Sequence, residues 1–375
     1  MGIEISLCMI VKNEEHNLGN CLATVHDLVD EIIIIDTGST DKTIEIASEY
    51  TDKIYHFEWI NDFSAARNYS FSKATKEYIM WLDADDIINE ENRQKILDLK
   101  ETLDKEIDVV IMDYHYAFDD AGNLAAIQPR ERLLKRSKNF KWRNVVHEHI
   151  YFGQEIEFKS LRTDIYIIHA HKTVEVNINS LARNLQIIER AIEGGTYSFL
   201  DVLHHGLTLY ALNRNDEALE ALNKYFVMIR KKNEPPRVNA YTTAHEIYLK
   251  RGDFENAYQI LVDNENYLKD KSEYQTALGD FARLVLKDYE SACHYYEKAV
   301  KCEGTEFMGV PAIFQIQEYY YFRPYYNLGI CYNKLRRHKE AQEAFEKAAE
   351  YKETEELKIM LEKIKRINEL LKNQN

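Results

Sequence analysis

Tyr78-Ile79-Met80-Trp81-Leu82-Asp83-Ala84-Asp85-Asp86 sets five large apolar residues directly before three carboxylates in four positions. The apolar run has the length and residue types of a buried strand. The Asp cluster then falls at the strand's C-terminal end, where open α/β sheets bind their ligands. Three neighbouring acids repel one another unless a positive charge lies among them. Hard divalent cations such as magnesium or manganese favour carboxylate oxygen. From this segment alone two readings stand, a metal site and a solvated acid-rich turn.

Upstream, strands and helices alternate. Ile5 to Val11 reads as a buried first strand, and Asn13 is placed to cap a helix running to about Thr24–His26. Glu31 to Ile35 is a second strand that ends in Asp36-Thr37-Gly38-Ser39-Thr40-Asp41, before a helix from Lys42 to Tyr50. Lys53 to Trp59 reads as a third strand and Phe63 to Lys76 as a helix. This order predicts a mostly parallel sheet with helices on both faces. Three loops then gather at one sheet edge: Lys12–Glu15, Asp36–Asp41 and Asp83–Asp86. Neither a GxGxxG nor a GxxxxGK[ST] loop is present, which argues against a dinucleotide enzyme and a P-loop NTPase.

The 375 residues suggest two or three domains. A net charge of -15 disfavours nucleic acid and anionic membranes as main partners. An anionic substrate needs a local cation here. Five cysteines without CxxC spacing read as reduced thiols and suggest a cytoplasmic location. The first residues lack the apolar core of a signal peptide, and Ile32–Ile35 is too short to span a bilayer.

Four motifs occur in order: Met9-Ile10-Val11-Lys12-Asn13-Glu14-Glu15, Ile35 to Asp41, Asp62-Phe63-Ser64-Ala65-Ala66-Arg67-Asn68, and Trp81 to Asp86. Together they resemble the family-2 glycosyltransferases of GT-A fold, inverting enzymes that use nucleotide-diphosphate sugars. The resemblance implies a UDP-sugar donor and a divalent metal, Mn2+ or Mg2+, as cofactor. It makes Asp36 the acceptor for the nucleotide base and the backbone around Val11, with Asn13 and Glu14, the floor under the nucleoside. Arg67 becomes a nucleotide contact. Asp83 and Ala84 fall on the donor side of a DxD motif, Asp85 is the metal ligand, and Asp86 supports it. Other readings of these residues are a helix-entry cap for Asp36 and a surface ion pair for Arg67.

Further on, Ile107 to Met112 reads as a strand and Tyr114 to Asn123 as a hairpin or loop turning at Asp119–Asn123. The basic segment Arg130 to Arg136 fits either a cleft wall or a solvated strand edge. Relatives carry a Val-His-Glu segment by the acceptor pocket, which maps to Val146-His147-Glu148. An inverting transfer needs one general base. Glu148 is the candidate, with a pKa raised among Trp142, Val145 and Val146. His147 is the runner-up, Asp113 and Asp119 are further candidates, and a structural Glu–His pair is the alternative. Ile165 to Ala170 ends near His169 and His171. By resemblance His169 completes the metal site; otherwise it is a satisfied core histidine.

From Ile178 onward the pattern is helical, with a repeat of about 34 residues. The clearest unit, Tyr325 to Tyr332 with Ala341, Phe345 and Ala348, resembles a tetratricopeptide repeat. Weaker units centre on Gly206, Tyr241 and Ala292, the last with a first helix one residue short. Residues 303–323 interrupt the array, and 353–373 form an amphipathic helix. The expected organisation is a GT-A domain at 1–175, tetratricopeptide-like repeats at 176–352 and a capping helix at 353–375. A solenoid's concave face suits an extended peptide or a second copy of the chain. The expected function is sugar transfer to a Ser or Cys side chain of a peptide. A glycan acceptor and a non-catalytic interaction module are the alternatives.

Overall fold

A computed structural model describes residues 2–118, 122, 124–152, 157–170, 174–232, 234, 237–302, 306–307, 310–311, 315–316 and 318–373. In chain order the first elements are β1 (Ile5–Val11), α1 (Leu18–Ala23), β2 (Glu31–Asp36), α2 (Thr43–Ser48), β3 (Ile54–His56), α3 (Phe63–Lys73) and β4 (Tyr78–Trp81). β5 (Asp86–Ile87), α4 (Glu90–Thr102), β6 (Val109–Phe118), β7 (Leu124–Lys135), β8 (Lys141–Arg143), β9 (His149–Tyr151) and β10 (Ser160–His169) follow.

β2 and β4 are buried at every position and β1 at all but one, as parallel strands covered on both faces must be. β1 pairs in parallel with β2, Val11 opposite Asp36, and with β4, Cys8 opposite Trp81. All three strands therefore end at one edge. The sheet runs β3-β2-β1-β4-β7-β6-β10-β5. β7 returns antiparallel to β4, with Met80 opposite Leu133. β10 runs parallel to β6 and antiparallel to β5, with His169 opposite Asp86. The last pairing brings a histidine from residue 169 onto the Asp cluster.

Several element bounds differ from the sequence expectation. Asn13 does not cap α1, which starts at Leu18. Asn13 lies at φ 55°, a left-handed conformation that Asn tolerates. Its side chain accepts the Thr40 N–H at 2.8 Å instead. β3 is confined to Ile54–His56. α3 stops at Lys73, because Ala74 turns extended and Thr75 donates its N–H and hydroxyl to Glu31. β6 continues to Phe118 through the stretch read as a loop from Tyr114, because Tyr114 is buried and sits opposite Ile167 of β10. Residues 119–121 and 123 of the expected turn lie outside the described residues.

Among the described residues the α-helices that follow are α5 (Val174–Glu193), α6 (Phe199–Ala211), α7 (Asn215–Lys232), α8 (Val238–Lys250), α9 (Phe254–Val262), α10 (Glu265–Leu268), α11 (Ser272–Phe281), α12 (Tyr289–Ala299), α13 (Arg323–Lys334), α14 (His338–Tyr351) and α15 (Glu355–Lys372). The chain divides into two compact units, Met1–Ala117 with Ile127–Thr208, and Phe118–Ala126 with Leu209–Asn375. The first unit passes residue 175 because α5 sets Ile187 and Ile188 against Val146, Trp59 and Phe63.

In the second unit, α13 and α14 pack where Gly329 faces the Phe345 ring. α11 and α12 repeat the pairing, with Gly279 facing Tyr296. The Gly279–Tyr296 spacing is one residue longer. A π turn at Ala282–Leu286 absorbs that extra residue. This unit is thus one residue long, not one short. α15 is the expected amphipathic helix and buries Leu357 and Ile364. Gly304 and Gly309 of the 303–323 segment lie outside the described residues.

Candidate active site

The first two loops of the sheet edge are tied to each other. The Thr37 N–H and hydroxyl both donate to the Val11 carbonyl, at 3.0 and 3.1 Å. The N–H groups of Asn13, Glu14 and Glu15 donate to Ser39, Thr43 and Asp41 at 3.0, 2.7 and 3.1 Å. Asp36 is 8% exposed, and its carboxylate accepts the N–H groups of Gly38 and Ser39 at 3.1 and 3.0 Å. Gly38 lies at φ 104°, which the tight turn demands and a side chain would strain. Asp36 therefore shapes its own loop. A carboxylate offers about four lone-pair sites, so acceptor capacity remains for a base N–H.

Arg67 lies on α3, whose start is capped by Asp62 accepting the Ala65 N–H at 3.0 Å. Its guanidinium is buried and forks. Nη2 donates to Asp83 Oδ1 at 2.7 Å and Nε to Glu148 Oε1 at 2.6 Å. Its Cζ lies 4.9 Å from the ring centre of Trp81 and 4.8 Å from that of Trp142. Asn68, the next residue, pins Trp142 through two hydrogen bonds of 2.9 Å. Burial pulls the Arg67 guanidinium down, but Asp83 and Glu148 outweigh it and hold it above its ordinary range. Burial pushes Asp83 up, and Arg67, then Arg132, overcome that and hold it below the usual carboxylate range. The sequence had Glu148 alone among apolar side chains; here it stands on Arg67. His147, at φ 53°, stacks on His204 with ring centres 4.2 Å apart, and burial pulls its pKa down.

Ala84 is buried between the acids. Asp85, Asp86 and His169 bring one ligand atom each within 4.8 Å of one another. His169 Nδ1 lies 3.4 Å from Asp85 and 3.6 Å from Asp86. The Tyr114 hydroxyl sits between, 2.7 Å from Asp86 Oδ1 and 2.6 Å from His169 Nδ1. It has one proton. Donated to Asp86, it makes His169 Nδ1 the donor in turn; donated to His169, it makes Nδ1 the acceptor. Asp86 Oδ2 accepts from Arg132 Nη1 and from the Asp83 N–H, both at 3.0 Å. Asp86 is thus committed to holding the loop, and Asp85 stands beside His169 at the strand end. Carboxylate oxygen with one imidazole is a donor set that can hold a divalent metal.

Sequence reasoning missed Arg132 and Tyr114. Arg132 is fully buried, its Cζ 3.9 Å from the Trp81 ring centre and 4.3 Å from that of Tyr114. Of the basic segment, this residue is neither edge nor surface. Both residues sit on strands whose register comes from long-range pairing, which the local pattern does not encode.

Residues 6–163 match the family model Glycosyl transferase family 2, and residues 322–355 match a tetratricopeptide repeat. The sheet unit thus resembles a family-2 glycosyl transferase domain, joined in this chain to helices that resemble a tetratricopeptide repeat. Over 236 residues the chain is 29% identical to the SPbeta prophage-derived glycosyltransferase SunS of Bacillus subtilis strain 168, covering 61% of this chain and 55% of that one. A TPR repeat-containing protein of Synechococcus elongatus is 52% identical over 83 residues, 22% of this chain and 21% of the relative. The chain thus spans about half or less of these curated relatives. A crystal structure of MamA covers 48% of this chain and 95% of its own at TM-score 0.36 and 16% identity.

Proposed function

We propose that the protein is a metal-dependent, inverting glycosyltransferase. It moves a hexose or N-acetylhexosamine from a UDP-sugar to a Ser or Cys side chain of a peptide. The observation that carries this reading is the meeting of Asp85 and His169 at the end of β4, beside the Asp83–Arg67–Glu148 chain. The family-2 match supports the transferase class and the nucleotide-sugar donor.

Asp36 accepts the base N–H over the floor made by Val11, Asn13 and Glu14. Asp83 meets the ribose or sugar hydroxyls, with Arg67 fixing its carboxylate and limiting its rotamers. Asp85 and His169 would hold the metal, which when bound would neutralise charge on the diphosphate. Glu148 takes the acceptor proton through Oε2, since Oε1 is engaged by Arg67. His147 orients the segment that carries Glu148.

A repeat surface suits an extended peptide, which is why a peptide acceptor is favoured over a glycan precursor. The same surface could instead pair two copies, which a light-scattering mass of two chains would reveal. Among the described residues no helix is long and apolar enough to cross a membrane. Five free cysteines fit a reducing cytoplasm.

A screen of UDP- and GDP-sugars with Mn2+ and Cys- or Ser-containing peptides, read by intact mass, tests the proposal. A peptide mass gain of one sugar with a UDP donor is expected. Gain on a glycan acceptor alone would remove the peptide assignment, and no turnover of any donor would remove the enzyme.

A further inference from the structure

Three guanidinium groups surround the Trp81 ring: Arg132 at 3.9 Å from its centre, and Arg67 and Arg130 at 4.9 Å each. Two of them are answered by carboxylates, Arg67 by Asp83 and Glu148 and Arg132 by Asp86. Arg130 has no carboxylate partner among the described residues. Its hydrogen bond there is a long one, from Nη2 to the Glu148 carbonyl at 3.4 Å, and its buried Nε has no partner at all. Burial pulls the Arg130 guanidinium down, and Glu131, then Glu148, oppose this by charge alone, without a direct ion pair among the described residues.

A guanidinium with a buried N–H that donates to nothing and no carboxylate in direct contact is costly. It is odder still in a chain of net charge -15, where carboxylates are plentiful. The other two arginines at this ring hold Asp83 and Asp86 of the β4 loop, so Arg130 shares the Trp81 ring with the groups that fix that loop. Guanidinium N–H groups match phosphate oxygen in geometry and charge. Diphosphate is the anion that the proposed donor brings to this place.

We infer that Arg130 is the protein's own seat for the donor diphosphate, binding its phosphate oxygens on the leaving-group side. This rests on the proposed transfer. In that step the bond from the sugar anomeric carbon to the β-phosphate oxygen breaks, and its electron pair stays on that oxygen. The acceptor oxygen or sulfur forms the new bond to carbon, and its proton passes to Glu148. Arg130 meets the negative charge that the departing diphosphate gains. It explains how an acidic cleft holds a diphosphate with a cation supplied by the chain itself.

The test is binding of UDP, UMP and uridine, followed by calorimetry with Mn2+, to the wild type, Arg130→Met and Arg130→Lys. A lost charge-assisted contact should weaken UDP about tenfold or more in Arg130→Met, with uridine nearly unchanged. Arg130→Lys should recover part of the loss, and unchanged thermal midpoints show that both variants fold. Equal UDP affinity in wild type and Arg130→Met overturns the inference and leaves the transferase standing. An equal loss for UDP and uridine also overturns it, since the residue would then merely support the pocket. No UDP binding by the wild type removes both the inference and the donor assignment.

Discussion

Arg67 joins two acids from distant parts of the chain, Asp83 from the β4 loop and Glu148 from the segment before β9. Removing one partner of a buried ion pair leaves the other charges uncompensated. Arg67→Met should therefore cost about 3–5 kcal/mol of stability, measured by urea unfolding. Arg67→Lys keeps the charge but not the fork, so it should restore only part. The pH dependence has a fixed sign. Asp83 is held below its ordinary value in the folded protein, so the unfolded chain binds its proton first as pH falls. Its contribution is complete above the ordinary Asp value of about 4 and is lost below it. The urea midpoint of the wild type should fall on acidification through that window, and Arg67→Met should flatten this part of the profile. An identical slope in both proteins would contradict the pairing.

At the scale of elements, the parallel half of the sheet was legible because buried runs such as Ile32–Ile35 cannot be anything but covered strands. Asp36, Asp83 and Asp85 sit just where those strands stop, so their place followed from the strand order. Arg132, Tyr114 and the approach of His169 were not legible. They depend on β7 returning antiparallel beside β4 and on β10 reaching β5, pairings that no local period encodes. Asn13 misled for a related reason: a capping residue type was in fact a bridge between two loops. Glu31 shows the same long reach. It takes Lys53, the Ser6 hydroxyl and both donors of Thr75, and lies at about 2 although burial pushes it up. Glu31→Gln should destabilise the domain by about 1–3 kcal/mol at pH 7, and by progressively less as pH falls from the ordinary Glu range toward that value. In the helical unit, Gly329→Ala would drive a methyl into the Phe345 ring. Such overpacking costs about 1–3 kcal/mol. The thermal midpoint should drop while the UDP affinity proposed for the sheet unit holds.

On the scale of the molecule, a sheet unit that matches family-2 glycosyl transferases and helices that match a tetratricopeptide repeat share one chain. If the helices bind the acceptor peptide, a full peptide should be a better substrate than a short fragment around the same Ser or Cys. A difference in kcat/KM of about tenfold or more is expected, since remote contacts supply binding energy that a fragment lacks. Equal values would take the repeats out of acceptor recognition. The account as a whole stands on Asp85 and the β4 loop, and one measurement reaches it directly: UDP release from a UDP-sugar with peptide and Mn2+, for wild type and Asp85→Asn. The account predicts release by the wild type, and a drop of about a hundredfold or more in Asp85→Asn at an unchanged thermal midpoint. Equal release by the two proteins would contradict it.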